Sequence, residues 1–351
     1  MKKLEELVRP HILHLTPYSS ARDEFSGKNG IFLDANENAF GSVIAETFNR
    51  YPDPYQLELK QKLSRIKKIS PEQIFLGNGS DEPIDLIIRM FCAPGQDNVI
   101  VMPPTYDMYA VSATIHEAEV RRVLLTAVYE INVEGIFRKI DANTKLIFIC
   151  SPNNPTGNSY NRKSIEQILD HFDGITVIDE AYIDFSRSES LLGKLDQYEN
   201  LIILQTLSKA WGLAGLRLGI AYAQKNIIKI LNKIKFPYNI NDATQKLVLK
   251  ALNFKNRKDE MVKAILDQRS FLEKELKKLA IVEEIYPSDA NFLLIRFKDA
   301  SRVFQYLLGK NIIVRNRSKL VLCENALRIT AGTPEENAAL ISQLKKFEEE
   351  L

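Results

Sequence analysis

The sequence of 351 residues has no long apolar run, almost no cysteine and no surplus of charge of either sign. Purely apolar stretches such as Leu146 to Cys150 fall far short of the ~20 residues that cross a bilayer. Lys and Arg (47) nearly balance Asp and Glu (45), so net charge gives no reason to expect nucleic acid or a membrane surface as partner. The charged start, Met1 to Arg9, lacks the apolar centre of a signal peptide. Cys92, Cys150 and Cys323 are odd in number and scattered, which suits a reducing cytoplasm better than a disulfide frame.

Other absences exclude chemistries. There is no Gly-x-Ser-x-Gly elbow and no Gly-Lys-Ser/Thr phosphate loop, and Gly77-Asn-Gly79 lacks the third glycine of a dinucleotide fingerprint. His11 and His14 are spaced like metal ligands but have no further ligands nearby, so no metal is expected.

What is present is ordinary globular composition, 45% hydrophobic and 26% charged, in a chain long enough for about two domains. The first 30 residues, punctuated by Pro10, Pro17, Gly27 and Gly30, read as an arm. Imperfect helical periodicity runs from Gln56 to Lys68, and a better helix opens at Ser80 and carries Ile84, Ile87, Ile88 and Phe91. Short apolar runs follow at Val99–Met102, Val120–Leu125, Leu146–Cys150, Ile175–Ile178, Leu201–Leu204 and Leu218–Tyr222. Most are separated by helical or mixed segments, which predicts an α/β fold with a mostly parallel sheet covered on both faces. Helices are expected at Asn226–Ile234, Asp242–Leu252 and Lys258–Lys278. A smaller α+β unit then has strands at Phe292–Ile295, Ile312–Val314 and Leu327–Ile329, with helices near Ser301–Leu308 and Pro334–Glu349. The expected division is an arm, 1–44, packing with the small domain, a large domain, 45–255, and a small domain, 256–351.

Two strings carry the chemistry. In Thr206-Leu-Ser208-Lys209-Ala-Trp-Gly-Leu-Ala-Gly-Leu-Arg217, a lysine lies between two hydroxyls and an arginine, just past an apolar strand. In Val177-Ile-Asp179-Glu-Ala-Tyr182, an aspartate ends a strand, where open α/β sheets bind ligands. A lysine amine forms Schiff bases with an aldehyde, the hydroxyls and arginine bind phosphate, and a carboxylate keeps a pyridine nitrogen protonated. The cofactor that fits is pyridoxal phosphate. Singly, each residue has a plain alternative: a surface lysine, a turn-capping aspartate, a packing tyrosine. Ser151-Pro-Asn-Asn154-Pro155-Thr-Gly157 is a tight turn after a strand whose Asn154 can reach the cofactor's phenolic oxygen, and Pro155 is a candidate for a cis peptide bond. Ser80, Asp81 and Glu82 begin a helix, where backbone amides bind phosphate, and Tyr106 is placed either to stack on a ring or to pack in the core. Arg315 and Arg328 sit among apolar strand residues and need an anion, from the protein or from a substrate.

Together these motifs resemble fold-type I pyridoxal-phosphate aminotransferases, and within them the histidinol-phosphate aminotransferase family. The resemblance runs from Leu15-Thr-Pro-Tyr18-Ser-Ser-Ala-Arg22 to Arg328-Ile-Thr-Ala-Gly-Thr333. It includes Leu33-Asp-Ala-Asn36-Glu-Asn, Arg50-Tyr51-Pro-Asp-Pro and Pro103-Pro-Thr-Tyr106. It implies an aspartate-aminotransferase-like fold in which Lys209 bonds the cofactor covalently and shuttles the proton. Asp179 then pairs with the ring nitrogen, Tyr182 and Asn154 hold the phenolic oxygen, and Tyr106 stacks on the ring. Thr206, Ser208, Arg217 and the amides near Ser80, Asp81 and Glu82 bind the cofactor phosphate. Tyr51 reaches that phosphate from the neighbouring subunit, so a homodimer is implied. Arg328 clamps the glutamate carboxylate, Arg315 and Tyr18 receive the phosphate of histidinol phosphate, and Asn36 joins the substrate-binding set. Two departures stand out: no proline follows Glu37-Asn38, and Asp107 stands where a glycine often follows the tyrosine. The expected reaction is transamination between histidinol phosphate and 2-oxoglutarate in histidine biosynthesis. Rival readings are an aromatic aminotransferase, a decarboxylase of a phosphorylated amino acid, and a non-catalytic cofactor-binding regulatory domain.

Overall fold

The computed structural model describes residues 2–18 and 30–351. Seven strands form the larger sheet: β1 (Ile74–Asn78), β2 (Asn98–Val101), β3 (Glu119–Arg122), β4 (Thr144–Cys150), β5 (Ile175–Asp179), β6 (Leu201–Thr206) and β7 (Leu218–Tyr222). Their order across the sheet is β1-β7-β6-β5-β4-β2-β3, with β7 antiparallel to both neighbours and β6, β5, β4, β2 and β3 mutually parallel. Strands β5, β6 and β7 are buried along their whole length, as their unbroken apolar runs require. Because β1 is antiparallel to β7, it runs with β6, so β1, β4, β5 and β6 all end at one edge. That edge carries the site.

Helices cover both faces: α3 (Leu57–Lys67), α4 (Asp81–Phe91), α5 (Met108–Ile115), α6 (Val133–Lys139), α7 (Arg162–His171), α8 (Lys225–Ile234) and α9 (Asp242–Ala251). In α4 the side chains of Ile84, Ile87, Ile88 and Phe91 are buried without remainder, each worth about 1.5–3 kcal/mol of transfer free energy. The basic face of α8 stays outward while Ile227, Ile228 and Leu231 pack inward. Helix α10 (Lys255–Leu276) leads to a second sheet of four antiparallel strands in the order β10-β11-β9-β8. These are β8 (Val282–Ile285), β9 (Phe292–Phe297), β10 (Arg315–Asn316) and β11 (Ala326–Thr330), packed with α11 (Ala300–Gly309) and α12 (Pro334–Glu349) around their own apolar core.

Strand β1 was not expected, because its run is short and ends in Gly77-Asn-Gly79, which reads as a helix opening. It becomes a strand through pairing with β7, a partner far along the chain. Half-exposed β8 also lacks an apolar run. The strand expected at Ile312–Val314 lies instead at Arg315–Asn316, where the hydrogen-bonded ladder to β11 begins. Ser80 stands at the N-cap of α4 but makes no side-chain cap there; its hydroxyl lies 3.5 Å from the Gln205 carbonyl.

The arm also differs from expectation. Two short helices, α1 (Leu4–Leu7) and α2 (Pro10–Leu13), bury Leu7, Val8 and Ile12 in the core beneath α4 and α8, not against the small sheet. The Arg9 amide donates to the Met90 carbonyl, and Lys233 donates to that of Leu13. The apolar positions were present in the sequence, but their partners lie on helices that periodicity alone could not bring near. Arg22, the last residue of the string that begins at Leu15, lies outside the described residues.

The loop between β1 and α4 depends on a backbone contact. A Cβ on Gly219 of β7 would lie 2.3 Å from the Gly79 carbonyl carbon and 2.4 Å from the Ser80 nitrogen. Gly219→Ala should therefore destabilise the protein by about 1–3 kcal/mol, read as a lower urea midpoint at unchanged m-value.

Candidate active site

Asp179 closes β5 and is 4% exposed. Its Oδ2 accepts a 2.6 Å hydrogen bond from the Tyr109 hydroxyl, and its Oδ1 a 3.0 Å bond from the Ala181 amide. Burial raises its pKa; those two bonds and the Lys209 charge oppose the rise. No ion-pair partner for this carboxylate exists among the described residues. Tyr109 is the residue that sequence reasoning missed. It is fully buried on α5, stacked on Phe148 with ring centroids 4.9 Å apart and edge-on to Tyr106 at 5.5 Å. The available signal was its position three residues beyond Tyr106, one helical turn further on the same face.

Neighbouring Glu180 points its carboxylate elsewhere. It accepts from the Ser190 hydroxyl (2.5 Å), the Leu191 amide (2.7 Å) and the Gln205 amide group (2.8 Å), tying the ends of β5 and β6 to the following loop. The two carboxylates thus form no dyad, as the alternation of faces along a strand predicts.

Lys209 follows β6 and is exposed as a residue, with its Nζ 5.6 Å from the centre of the Tyr182 ring. Burial around the amine lowers its pKa, Arg328 and Arg217 lower it further, and Asp179 and Asp81 hold it up. Tyr182 is 7% exposed, packs edge-on against Phe292, and has its pKa raised chiefly by burial. Asn154 is also buried, and its Oδ1 accepts from Arg328 Nη1 at 2.5 Å. That contact leaves the Asn154 amide nitrogen free to donate to another oxygen. The Asn154–Pro155 bond is cis, as are Pro103–Pro104 and Ser151–Pro152.

A cationic cradle lies beyond β1. The Gly79 amide donates to the Arg217 carbonyl at 2.8 Å, and Gly79 itself has φ +72°; a Cβ there would meet Arg217 Nη2 at 2.3 Å. Arg217, in the left-handed region at φ 51°, lies 3.7 Å from Asp81, which accepts a 3.0 Å bond from the Tyr106 hydroxyl. Thr206 Oγ1 accepts from the Ser208 amide at 3.1 Å beside the same strand end. The first-turn amides of α4 have no partners within the helix, as at any helix N-terminus, so they complete an anion cradle with Arg217.

The donor set fits pyridoxal phosphate. A buried carboxylate without a cation suits a protonated ring nitrogen, the cradle suits a phosphate, and the Lys209 amine of lowered basicity suits an aldehyde.

The structure brings Lys209, Asp179, Tyr182, Tyr106, Asn154, Asp81, Arg217 and Arg328 into one network, with Thr206, Ser208, Ser80 and Glu82 at its margins. Arg315 lies directly across the ladder from Arg328. Tyr18, Asn36 and Tyr51 stand apart: no hydrogen bond or ion pair among the described residues links them to the Lys209 centre. Tyr18 is 75% exposed, and Tyr51 stacks on Tyr238 at 4.5 Å. Tyr51 and Asn36 border a 630 Å³ cleft with Tyr238 and Asn241.

The chain is similar to known proteins over nearly its whole length. A profile of the aminotransferase class I and II family matches residues 28–344. A protein of Cytophaga hutchinsonii named histidinol-phosphate aminotransferase is 52% identical over 344 residues, covering 98% of this chain and 99% of that one. The crystal structure of the histidinol-phosphate aminotransferase from Clostridium acetobutylicum superposes with a TM-score of 0.80 at 26% identity, covering 87% of this chain and 92% of that chain. That of the enzyme from Sinorhizobium meliloti, in complex with pyridoxal-5'-phosphate, shares the fold with a TM-score of 0.80 at 22% identity and 90% coverage of each chain. The chain belongs to the class I and II aminotransferases.

Proposed function

We propose that this chain catalyses reversible transamination between L-histidinol phosphate and 2-oxoglutarate, giving imidazole-acetol phosphate and L-glutamate, as a cytoplasmic step of histidine biosynthesis. The observation that carries the reading is the buried, unpaired Asp179 carboxylate on the same sheet edge as the Lys209 amine. The choice of amino donor is supported by the Cytophaga relative, 52% identical along nearly all of both chains.

Bound pyridoxal phosphate supplies an aldehyde that exchanges amino groups and a ring that accepts the electrons of the broken Cα–H bond. The chain's residues do the rest. Lys209 is nucleophilic only when neutral, and the partial desolvation of its amine together with the charges of Arg328 and Arg217 favours that form. With the cofactor bound, the Lys209 amine would take up and return the proton of the substrate carbon. Asp179 keeps the ring nitrogen protonated, and Tyr109 keeps Asp179 ionised and aimed. Tyr182 and the Asn154 amide hold the phenolic oxygen. Tyr106 stacks on the ring. Ser80, Asp81 and Glu82 through their amides, with Thr206, Ser208 and Arg217, hold the cofactor phosphate. Arg328 takes the α-carboxylate of glutamate, and Arg315, Tyr18 and Asn36 serve the phosphorylated substrate.

The site is completed by a second copy of the chain, with Tyr51 reaching the partner's cofactor phosphate. Supporting this, Ile31, Leu33, Phe40 and Val43 lie open to solvent in this single chain, Phe40 and Val43 at 102% and 103% exposure. Several large apolar side chains left open along one short segment suit an association surface. Sedimentation should give a species of twice the 40.1 kDa chain mass, and a monomer at micromolar concentration contradicts the shared site.

The primary test is a single-turnover absorbance experiment on the holoenzyme without keto acid. Histidinol phosphate should convert the cofactor band far faster than tyrosine does, and Lys209→Ala should abolish the conversion. Preference for tyrosine assigns the chain to aromatic substrates, and release of carbon dioxide from a phosphorylated amino acid assigns it to decarboxylation.

Tyr109 is a positioning residue with its own signature. Its hydroxyl lowers the Asp179 pKa, so removing it raises that pKa and protonates the carboxyl at higher pH. Tyr109→Phe should lower kcat roughly 10- to 100-fold, the cost of one hydrogen bond to a buried charge. The acid limb of its pH–rate profile should move toward neutral pH.

A further inference from the structure

The ribbon β10–β11 carries more cationic groups than a carboxylate needs. Arg315 pairs with Arg328 in register, and the Arg317 amide donates to the Ala326 carbonyl at 2.9 Å, continuing the ladder by one step. Residues directly opposite, and residues two apart along a strand, share a face. Arg315, Arg317 and Arg328 therefore occupy one face of the ribbon, and like charges directly opposite are unfavourable unless an anion lies between them. No carboxylate forms an ion pair with any of the three among the described residues. Arg328 spends one nitrogen on Asn154 and lies over the Phe292 ring at 5.3 Å. The Nε atoms of Arg317 and Arg328 are both shut off from solvent and lack hydrogen-bond partners. A buried donor left unpaired costs about 1–3 kcal/mol, so two such atoms on one face of the ribbon indicate a missing acceptor.

Arg317 also lies within electrostatic reach of the reaction centre. Its charge acts on the Tyr182 hydroxyl together with that of Arg328, and Arg317 in turn feels Arg328, Arg315 and, from the turn after Tyr106, Asp107. Asp107 is the residue at which this chain departs from the common glycine of its family. The two units thus meet at this point, one supplying a cation and the other an anion.

We propose that Arg317 is a specificity-determining residue, the added cation that lets a site built for the glutamate carboxylate also take the phosphate dianion of the second amino donor. The assignment deepens the proposed reaction and rests on it. A carboxylate is one unit of charge with two oxygens and is served by the Arg328 fork. A phosphate monoester carries about −1.5 to −2 charge and three acceptor oxygens, and it needs the further donors that Arg315 and Arg317 present. Glutamate then leaves Arg317 unused, whereas histidinol phosphate does not.

The test compares half-reactions of the holoenzyme with histidinol phosphate, unphosphorylated histidinol and glutamate, in wild type, Arg317→Gln and Arg317→Lys. In Arg317→Gln the rate constant over apparent Kd for histidinol phosphate should fall about 10- to 100-fold, the range for one lost charge-assisted hydrogen bond. The values for glutamate and for histidinol should change less than about threefold. Arg317→Lys, which keeps the charge without the fork, should recover part of the loss. Inorganic phosphate competing against glutamate reads the same subsite without the amine, and its inhibition should weaken in parallel. Equal losses with all three amines, or no loss with histidinol phosphate, overturn the assignment. A wild type inert toward histidinol phosphate overturns the proposed reaction instead, and the phosphate competition still decides the role of Arg317.

Discussion

A carboxylate shut away from water is the constraint around which this molecule is arranged. Burying an ionised group is costly unless it is hydrogen-bonded and paired, and Asp179 is hydrogen-bonded but has no ion-pair partner among the described residues. The sheet places it at the end of its central strand, α5 delivers Tyr109 to one oxygen, and the backbone turn delivers Ala181 to the other. The missing positive charge is the opening for the cofactor. Lys209 sits near enough to act on the same carboxylate, so the cationic ring and the reactive amine are drawn to one place. Much of the remaining architecture, from the Phe148 stack under Tyr109 to the Glu180 network behind it, keeps that carboxylate where it is.

The parallel part of the sheet was legible because buried strands are continuous apolar runs, and because the residues that end them, Asp179 and Thr206, are polar. The lysine string and the aspartate–tyrosine string could be read for the same reason: each follows its strand within a few residues. What could not be read was held by distant partners. Strand β1 exists through β7, the arm docks through α4 and α8, and Tyr109 looks like core until its hydroxyl is seen on Asp179. Arg317 escaped notice because nothing local separates a solvated arginine from one whose Nε is buried beside Arg328.

The division of labour between the units follows from chemistry. The large sheet holds groups that must stay fixed relative to the cofactor ring, and its strand ends are rigid points of attachment. The small sheet contributes arginines from a short ribbon near the domain junction, where long side chains meet anions of different shape. Arg328 joins the two through Asn154, so the arginine proposed to recognise the substrate is hydrogen-bonded to the asparagine proposed to hold the cofactor.

The pairing of β1 with β7 also sets an order of events during synthesis. A ribosome that has released the chain only through β6 has supplied every parallel strand, Asp179 and Tyr109, yet β1 still has no neighbour, because β7 lies between it and β6. The glycine-backed loop at the head of α4 gains its shape only when Gly219 slides against Gly79. A nascent chain therefore cannot close that loop until β7, which follows Lys209 within the next stretch of chain, has emerged and paired.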